Sequence, residues 1–187
     1  MTQCQPSADL PCLWLLSDAR NDAQLEDALG YLPPGSGFVY RHYHLAPAER
    51  AARFEVLAEH ARERGHRIVL SGSPAQAEEY GADGVYGATD RIGPSRPGLL
   101  RLATAHDAGE LAAAERARAD GVFLSPVFPT RSHPGGETLG RETFLALARS
   151  TTLPVIALGG MTVHRAAALD WPRWAAIDGL TRLPNSA

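Results

Sequence analysis

The chain has 187 residues, 44% of them hydrophobic, with 18 Lys and Arg against 21 Asp and Glu for a formal net charge of −3. That is enough apolar material for one buried core, and there is no basic excess to drive nucleic-acid binding. No apolar run approaches the roughly 20 residues of a membrane span, and the opening MTQCQPSADLPCLWLL has no basic n-region, so a cytoplasmic protein without nucleic-acid or membrane partners is expected.

Residues 1–11 are expected to be peripheral. Cys4 and Cys12 lack metal-type spacing and are read as free thiols. CLWLLSD (12–18) is the first strand candidate, and a helix is predicted at about 22–30. GFVYRHY (37–43) follows, then a long helix at 47–64 that Pro47 opens and Gly65 stops. RIVLSG (67–72) leads to a helix at 74–80 begun by Pro74, and GVYG (84–87) to ATDRIGPSRPG, where little helix fits. GLLRLA (98–103) precedes a helix at 107–119, and GVFLSPV (121–127) one at 138–149. LPVIALGG (153–160) runs into a helix at 161–170 that Thr162 is placed to cap. WAAIDG (174–179) is the last strand candidate, and residues 181–187 are expected to be peripheral.

Eight strands alternating with helices specify a parallel sheet covered on both faces. An open doubly wound sheet also alternates this way, but eight strands favour a single (β/α)8 barrel domain over residues 1–187. The chain is shorter than the ~200 residues at the lower end of that class. The outer helix ring must therefore be trimmed, and the sequence places the gaps near 88–97 and after 180. A thin ring leaves core side chains in need of cover, so a homodimer is expected.

In such a barrel, chemistry sits where strands end at their carboxyl sides. Gly159-Gly160 let backbone N–H groups approach an anion ahead of a helix start, although a tight strand-to-helix turn alone would also account for them. The loop PTRSHPGG, with Thr130, Arg131, Ser132 and His133, offers hydroxyl donors and cations suited to a phosphate or pyrophosphate. An ordinary solvated loop is the plain alternative. His42 and His44 in RHYH are two apart. On a strand they would share a face and could hold a divalent metal, as in a metal-dependent hydrolase.

GADGV (81–85), ATAHDAGEL (103–111), LSPVFPTRSHPG (124–135) and LPVIALGGM (153–161), in that order, resemble the thiamine-phosphate synthase/TenI family. The resemblance implies a (β/α)8 barrel and one of two activities. The synthase couples hydroxymethylpyrimidine pyrophosphate to thiazole phosphate with Mg2+ and releases pyrophosphate. The TenI branch isomerises a thiazole phosphate tautomer by proton transfer. A barrel that only binds such phosphates is a third possibility.

Carried over by position, the resemblance implies Arg41 and His106 as catalytic groups. It implies Arg41, Thr130, Arg131, Ser132 and His133 on the pyrophosphate, Gly159, Gly160 and the backbone at Ile177 on the thiazole phosphate, and Thr104 and Ser125 as further substrate-binding residues. Asp90 remains as a magnesium ligand. The chain also departs from the family pattern. Val39 and Tyr43 stand where glutamine and lysine are expected, and His133 replaces a lysine. VLSGSP lacks the expected Asn-Asp pair, and Asp178 replaces a serine at the last strand. The lost lysines remove permanent charge from a departing pyrophosphate, and the lost carboxylate weakens a magnesium site.

Overall fold

Side chains alternate across each strand, and here both faces are apolar, so each strand must be buried on both sides. The computed structural model, which describes residues 10–132 and 135–181, meets that demand by closing the sheet. Strands β1 (Leu13–Leu16), β2 (Gly37–Tyr40), β3 (Arg67–Leu70), β4 (Gly84–Gly87), β5 (Leu100–Ala105), β6 (Gly121–Leu124), β7 (Val155–Ala157) and β8 (Trp174–Ala176) pair in parallel and in chain order. The ring closes where Leu13, Trp14 and Leu15 meet Trp174, Ala175 and Ala176. The expected (β/α)8 barrel is therefore observed, and the open sheet is not.

Helices α1 (Leu25–Tyr31), α2 (Pro47–Glu63), α3 (Pro74–Glu79), α4 (Ala108–Arg116), α5 (Gly140–Arg149) and α6 (Val163–Leu169) form the outer layer. Their starts follow local chemistry. Ser73 caps α3 by accepting from Gln76 N, with Pro74 at the first turn, and Thr162 caps α6 by accepting from Arg165 N. Among the described residues none of them is long and apolar enough to cross a membrane. Several strands are shorter than the apolar runs that marked them: β6 stops at Leu124, β7 at Ala157 and β8 at Ala176. Pairing ends where neighbouring strands splay, while the apolar run continues into loops that are themselves buried, such as Val127 and Met161.

Two apolar layers result. Inside the barrel, Trp14, Leu16, Val39, Val69, Tyr86, Leu102, Phe123 and Ile156 fill the lumen, with Phe123 edge-on to Trp14 and to Tyr86. Leu10 and Pro11 are buried too, and the Trp14 indole donates to Pro11 O at 2.9 Å. The expected peripheral segment thus yields its last two residues to the barrel floor, because a lumen this wide needs a plug. Outside, strand residues such as Phe38, Tyr40 and Leu124 pack on Leu29, Phe54, Leu57 and Phe144 of the helices.

The ring is short where the sequence placed its gaps. No helix links β4 to β5, and among the described residues β8 is followed by a single 3-10 turn at Asp178–Leu180. The first gap is covered from within. Ile92 is buried, and Arg101 on the outward face of β5 is only 3% exposed. Its guanidinium donates to Gly93 O and Ala117 O at 2.9 Å each, and to Arg118 O. Beside the second gap, Tyr31 and Val163 remain exposed on a shallow groove. One expectation is corrected: Cys12 is disulfide-bonded rather than a free thiol. Composition and spacing alone do not reveal whether a thiol is oxidised; Cys4 lies outside the described residues.

Candidate functional site

Above the lumen plug, the same inward parity continues past the strand ends. Two positions beyond the core residues Val39, Val69, Leu102, Phe123 and Ala175 come Arg41, Ser71, Thr104, Ser125 and Ile177, and His106 lies two beyond Thr104. All six line one cavity of about 1430 Å³ at the carboxyl end of the barrel. Thr130, Arg131 and Ser132 of the β6–α5 loop, Gly159 and Gly160 of the β7–α6 loop, and Asp90 after β4 line it as well. His133 lies outside the described residues. Every other site residue that the family resemblance implies is thus on a single concave surface, with Tyr86, Leu158 and Met161 forming its apolar part; His42 and His44 do not line it.

The β6–α5 loop is anchored by its neighbour. Val127 N donates to Leu158 O at 2.9 Å and Phe128 N to Gly159 O at 3.1 Å. A Cβ on Gly159 would stand 2.6 Å from Pro126 Cα, and one on Gly160 2.4 Å from Pro129 O; both glycines have positive φ, 96° and 62°. Close backbone packing therefore demands both glycines, independently of any anion they bind. Arg165 on α6 adds a cation here, its Nη1 donating to Gly160 O at 2.5 Å while the guanidinium covers the Phe128 ring.

Arg41 is held from three sides. Its backbone N–H donates to Ser17 Oγ at 2.7 Å, its Nε to Ser17 O at 3.0 Å, and its Nη2 to Asp18 Oδ2 at 2.6 Å. The guanidinium also lies 5.9 Å from the centroid of the Tyr43 ring. Beneath it, burial pushes the Tyr86 hydroxyl up to about 12, so that phenol stays neutral at any working pH.

The His-x-His metal site is not formed. β2 ends at Tyr40, and His42 takes a positive φ of 39° that turns it away from the strand pattern. Its Nδ1 is 2.8 Å from Ser17 Oγ and its Nε2 2.8 Å from Asp22 Oδ1, so both nitrogens are committed and neither is open to a metal. Burial lowers the pKa of His42 although Asp22 pulls the other way, so the ring is neutral. Among the described residues, no group of three His, Cys, Asp or Glu side chains is placed to hold an ion.

Asp90 is exposed in the cavity wall and, among the described residues, belongs to no group of three side chains that could hold a metal. Ser71, Gly72 and Ser73 occupy the turn after β3 where the family resemblance leads one to expect an Asn-Asp pair. This donor set suits magnesium that arrives with a diphosphate, since that ion keeps several waters and takes one or two carboxylates plus substrate phosphates.

His106 is exposed, and both its backbone N and its Nδ1 lie 2.8 Å from Glu110 Oε2. The carboxylate accepts from Nδ1–H, which leaves Nε2 as the free acceptor. Two contributors escaped the sequence reading: Arg165, and Arg20 from the loop after β1. For Arg20 the only sequence signal was its place two residues past the Ser17-Asp18 strand end. Asp178, the unexpected carboxylate, lies 3.9 Å from Arg20 Nε.

Comparison with known proteins gives the chain's family by sequence and its fold by structure. A family model described as thiamine monophosphate synthase covers residues 17–170. A putative thiamine-phosphate synthase 2 of Aquifex aeolicus is 35% identical over 86 residues, 43% of this chain; the match spans 46% of that relative, less than half its length. A thiamine-phosphate synthase of Mycobacterium sp. (strain JLS) is 30% identical over 182 residues, covering 86% of this chain and 79% of its own. The solved structure of a thiamine phosphate pyrophosphorylase from Pyrococcus furiosus shares the fold, with a TM-score of 0.76 at 22% identity over 92% of this chain and 88% of that one.

Proposed function

The chain belongs to the thiamine monophosphate synthase family, and from that premise we propose that it couples hydroxymethylpyrimidine pyrophosphate to a thiazole phosphate and releases pyrophosphate. The observation that carries this reading is the convergence of the family-like positions on one cavity beside an apolar wall. In the reaction, the pyrimidine methylene exchanges its bond to a diphosphate oxygen for one to the thiazole nitrogen. The diphosphate leaves with the bonding electrons, so the protein must stabilise developing negative charge.

Arg41 and Arg131 supply permanent cations for that purpose, and Thr104, Ser125, Thr130 and Ser132 supply hydroxyl donors. The Gly159-Gly160 turn, the backbone at Ile177 and Arg165 serve the thiazole phosphate. Tyr86 and Leu158 give the aromatic rings a dry surface. Asp90 would hold magnesium together with the diphosphate, and the ion would neutralise part of the leaving group's charge. A cytoplasmic location is part of the same proposal.

A second reading rests on His106. With Glu110 on Nδ1, its Nε2 is a free base in the cavity, suited to moving a proton in a thiazole phosphate tautomerase. One experiment separates the two. The purified protein is given both substrates and magnesium and assayed for thiamine phosphate, and separately given the thiazole tautomer alone. Thiamine phosphate formation supports the synthase. Tautomer conversion without it, abolished by His106→Asn, supports the isomerase, and inactivity in both assays leaves a phosphate-binding barrel.

A further inference from the structure

Arg20 joins three of the loops that ring the cavity. Its Nε lies 3.1 Å from Asp18 Oδ1 on the β1 side and 3.9 Å from Asp178 Oδ1 after β8. Its Nη2 donates to Ser132 Oγ on the β6–α5 loop at 3.0 Å. Among the described residues Nη1 has no hydrogen-bond partner, so part of the donor fork is unused by them. Asp18 also holds Arg41 by its other oxygen, at 2.6 Å. One carboxylate therefore sets two guanidinium groups along the same wall.

We propose that Arg20 is a third arginine of the diphosphate subsite, beside Arg41 and Arg131, held by Asp18 and Asp178 until a diphosphate engages its remaining N–H groups. The proposal rests on the synthase reading and deepens it. Any anion bound by the hydroxyls of the Thr130–Ser132 turn comes within reach of a guanidinium already bonded to one of them. The chain has Tyr43 where a lysine was looked for, and Arg20 supplies a permanent charge from a different loop. It also accounts for Asp178: that carboxylate faces a cation rather than standing unpaired among phosphates. A guanidinium is suited to the exchange because it is always charged and can fork between two oxygens.

The test is calorimetric titration of inorganic pyrophosphate into wild type, Arg20→Ala, Arg20→Lys and Asp178→Asn, with thermal unfolding of each as a control. Arg20→Ala is expected to weaken binding about tenfold, as loss of a charge-assisted contact does, and Arg20→Lys to recover part of it. Asp178→Asn is expected to tighten binding, because it removes a competitor for the guanidinium. If Arg20 is merely a strap between loops, Asp178→Asn will weaken binding alongside Arg20→Ala, and that result overturns the proposal. Binding by Arg20→Ala equal to wild type overturns it as well. Failure of wild type to bind pyrophosphate at all removes the synthase reading beneath it, a distinct outcome from loss of Arg20's role alone.

Discussion

The Ser17 hydroxyl lies 2.8 Å from Nδ1 of His42, behind the cavity wall and fully shielded from solvent. The directions of the surrounding bonds follow from their partners. Arg41 N–H donates to Ser17 Oγ, Ser17 O–H donates to Nδ1, and Nε2–H donates to the Asp22 carboxylate, which Arg53 also contacts. A neutral imidazole satisfies every group in this chain. The Ser-His-Asp order is therefore no hydrolytic triad, since Ser17 is inaccessible; it holds the backbone that presents Arg41.

Acid is expected to weaken the fold through His42. Burial depresses its pKa below the usual 6.5, so below about pH 6.5 the unfolded chain takes up a proton that the folded chain refuses. Stability rises with pH through that window and falls on acidification. His66, whose pKa burial also lowers, acts in the same direction. At Asp22 burial works to raise the pKa, but the His42 and Arg53 bonds outweigh it and hold it below the usual 3.8, so its share is lost only in stronger acid. Chemical denaturation at pH 7.0 and 5.5 should show wild type losing about 1 kcal/mol more than His42→Gln. Equal losses would clear His42 of this role.

Replacing Arg101 tests the self-made cover over the missing helix. Arg101→Ala strips donors from three carbonyls and opens a void, and a loss of about 2–4 kcal/mol is expected by denaturant titration. Arg101→Met keeps most of the volume. If it is as stable as wild type, the side chain acts by packing and not by its hydrogen bonds.

Gly160→Ala is expected to cost about 1–3 kcal/mol, from positive-φ strain and the collision with Pro129 O. Because the displaced atoms belong to the β6–α5 loop, pyrophosphate affinity should fall with it. Affinity unchanged in a stably folded variant would show that this loop's position does not govern anion binding.

Magnesium should bind weakly by itself and several-fold more tightly once pyrophosphate is present, as expected for a lone Asp90 that completes its ligand shell with phosphate oxygens. Calorimetry with and without pyrophosphate measures the difference. Asp90→Asn should abolish that enhancement beyond what magnesium and pyrophosphate show without protein. Tight magnesium binding to the chain alone would mean a protein-built site elsewhere.

Short apolar runs separated by helical segments were enough, without coordinates, to mark eight buried parallel strands, to favour the barrel over the open sheet and to place the two gaps in the helix ring. Arg41, Thr104, Ser125 and Ile177 were legible through the family resemblance, and the structure supplies the reason they meet: each lies two positions beyond an inward-facing core residue. That local rule fails once the backbone leaves the strand. At His42 a φ of 39° reverses the pattern, and the pair that looked like metal ligands keeps its ring centroids 5.1 Å apart but is split in role, with His42 buried in a hydrogen-bond chain and His44 exposed. Arg20 and Ser132 are 112 positions apart, yet their side chains meet. Spacing cannot reveal such a contact. It arises because closure of the barrel brings the loops after β1, β6 and β8 to one rim, where the reach of long side chains decides which charges pair.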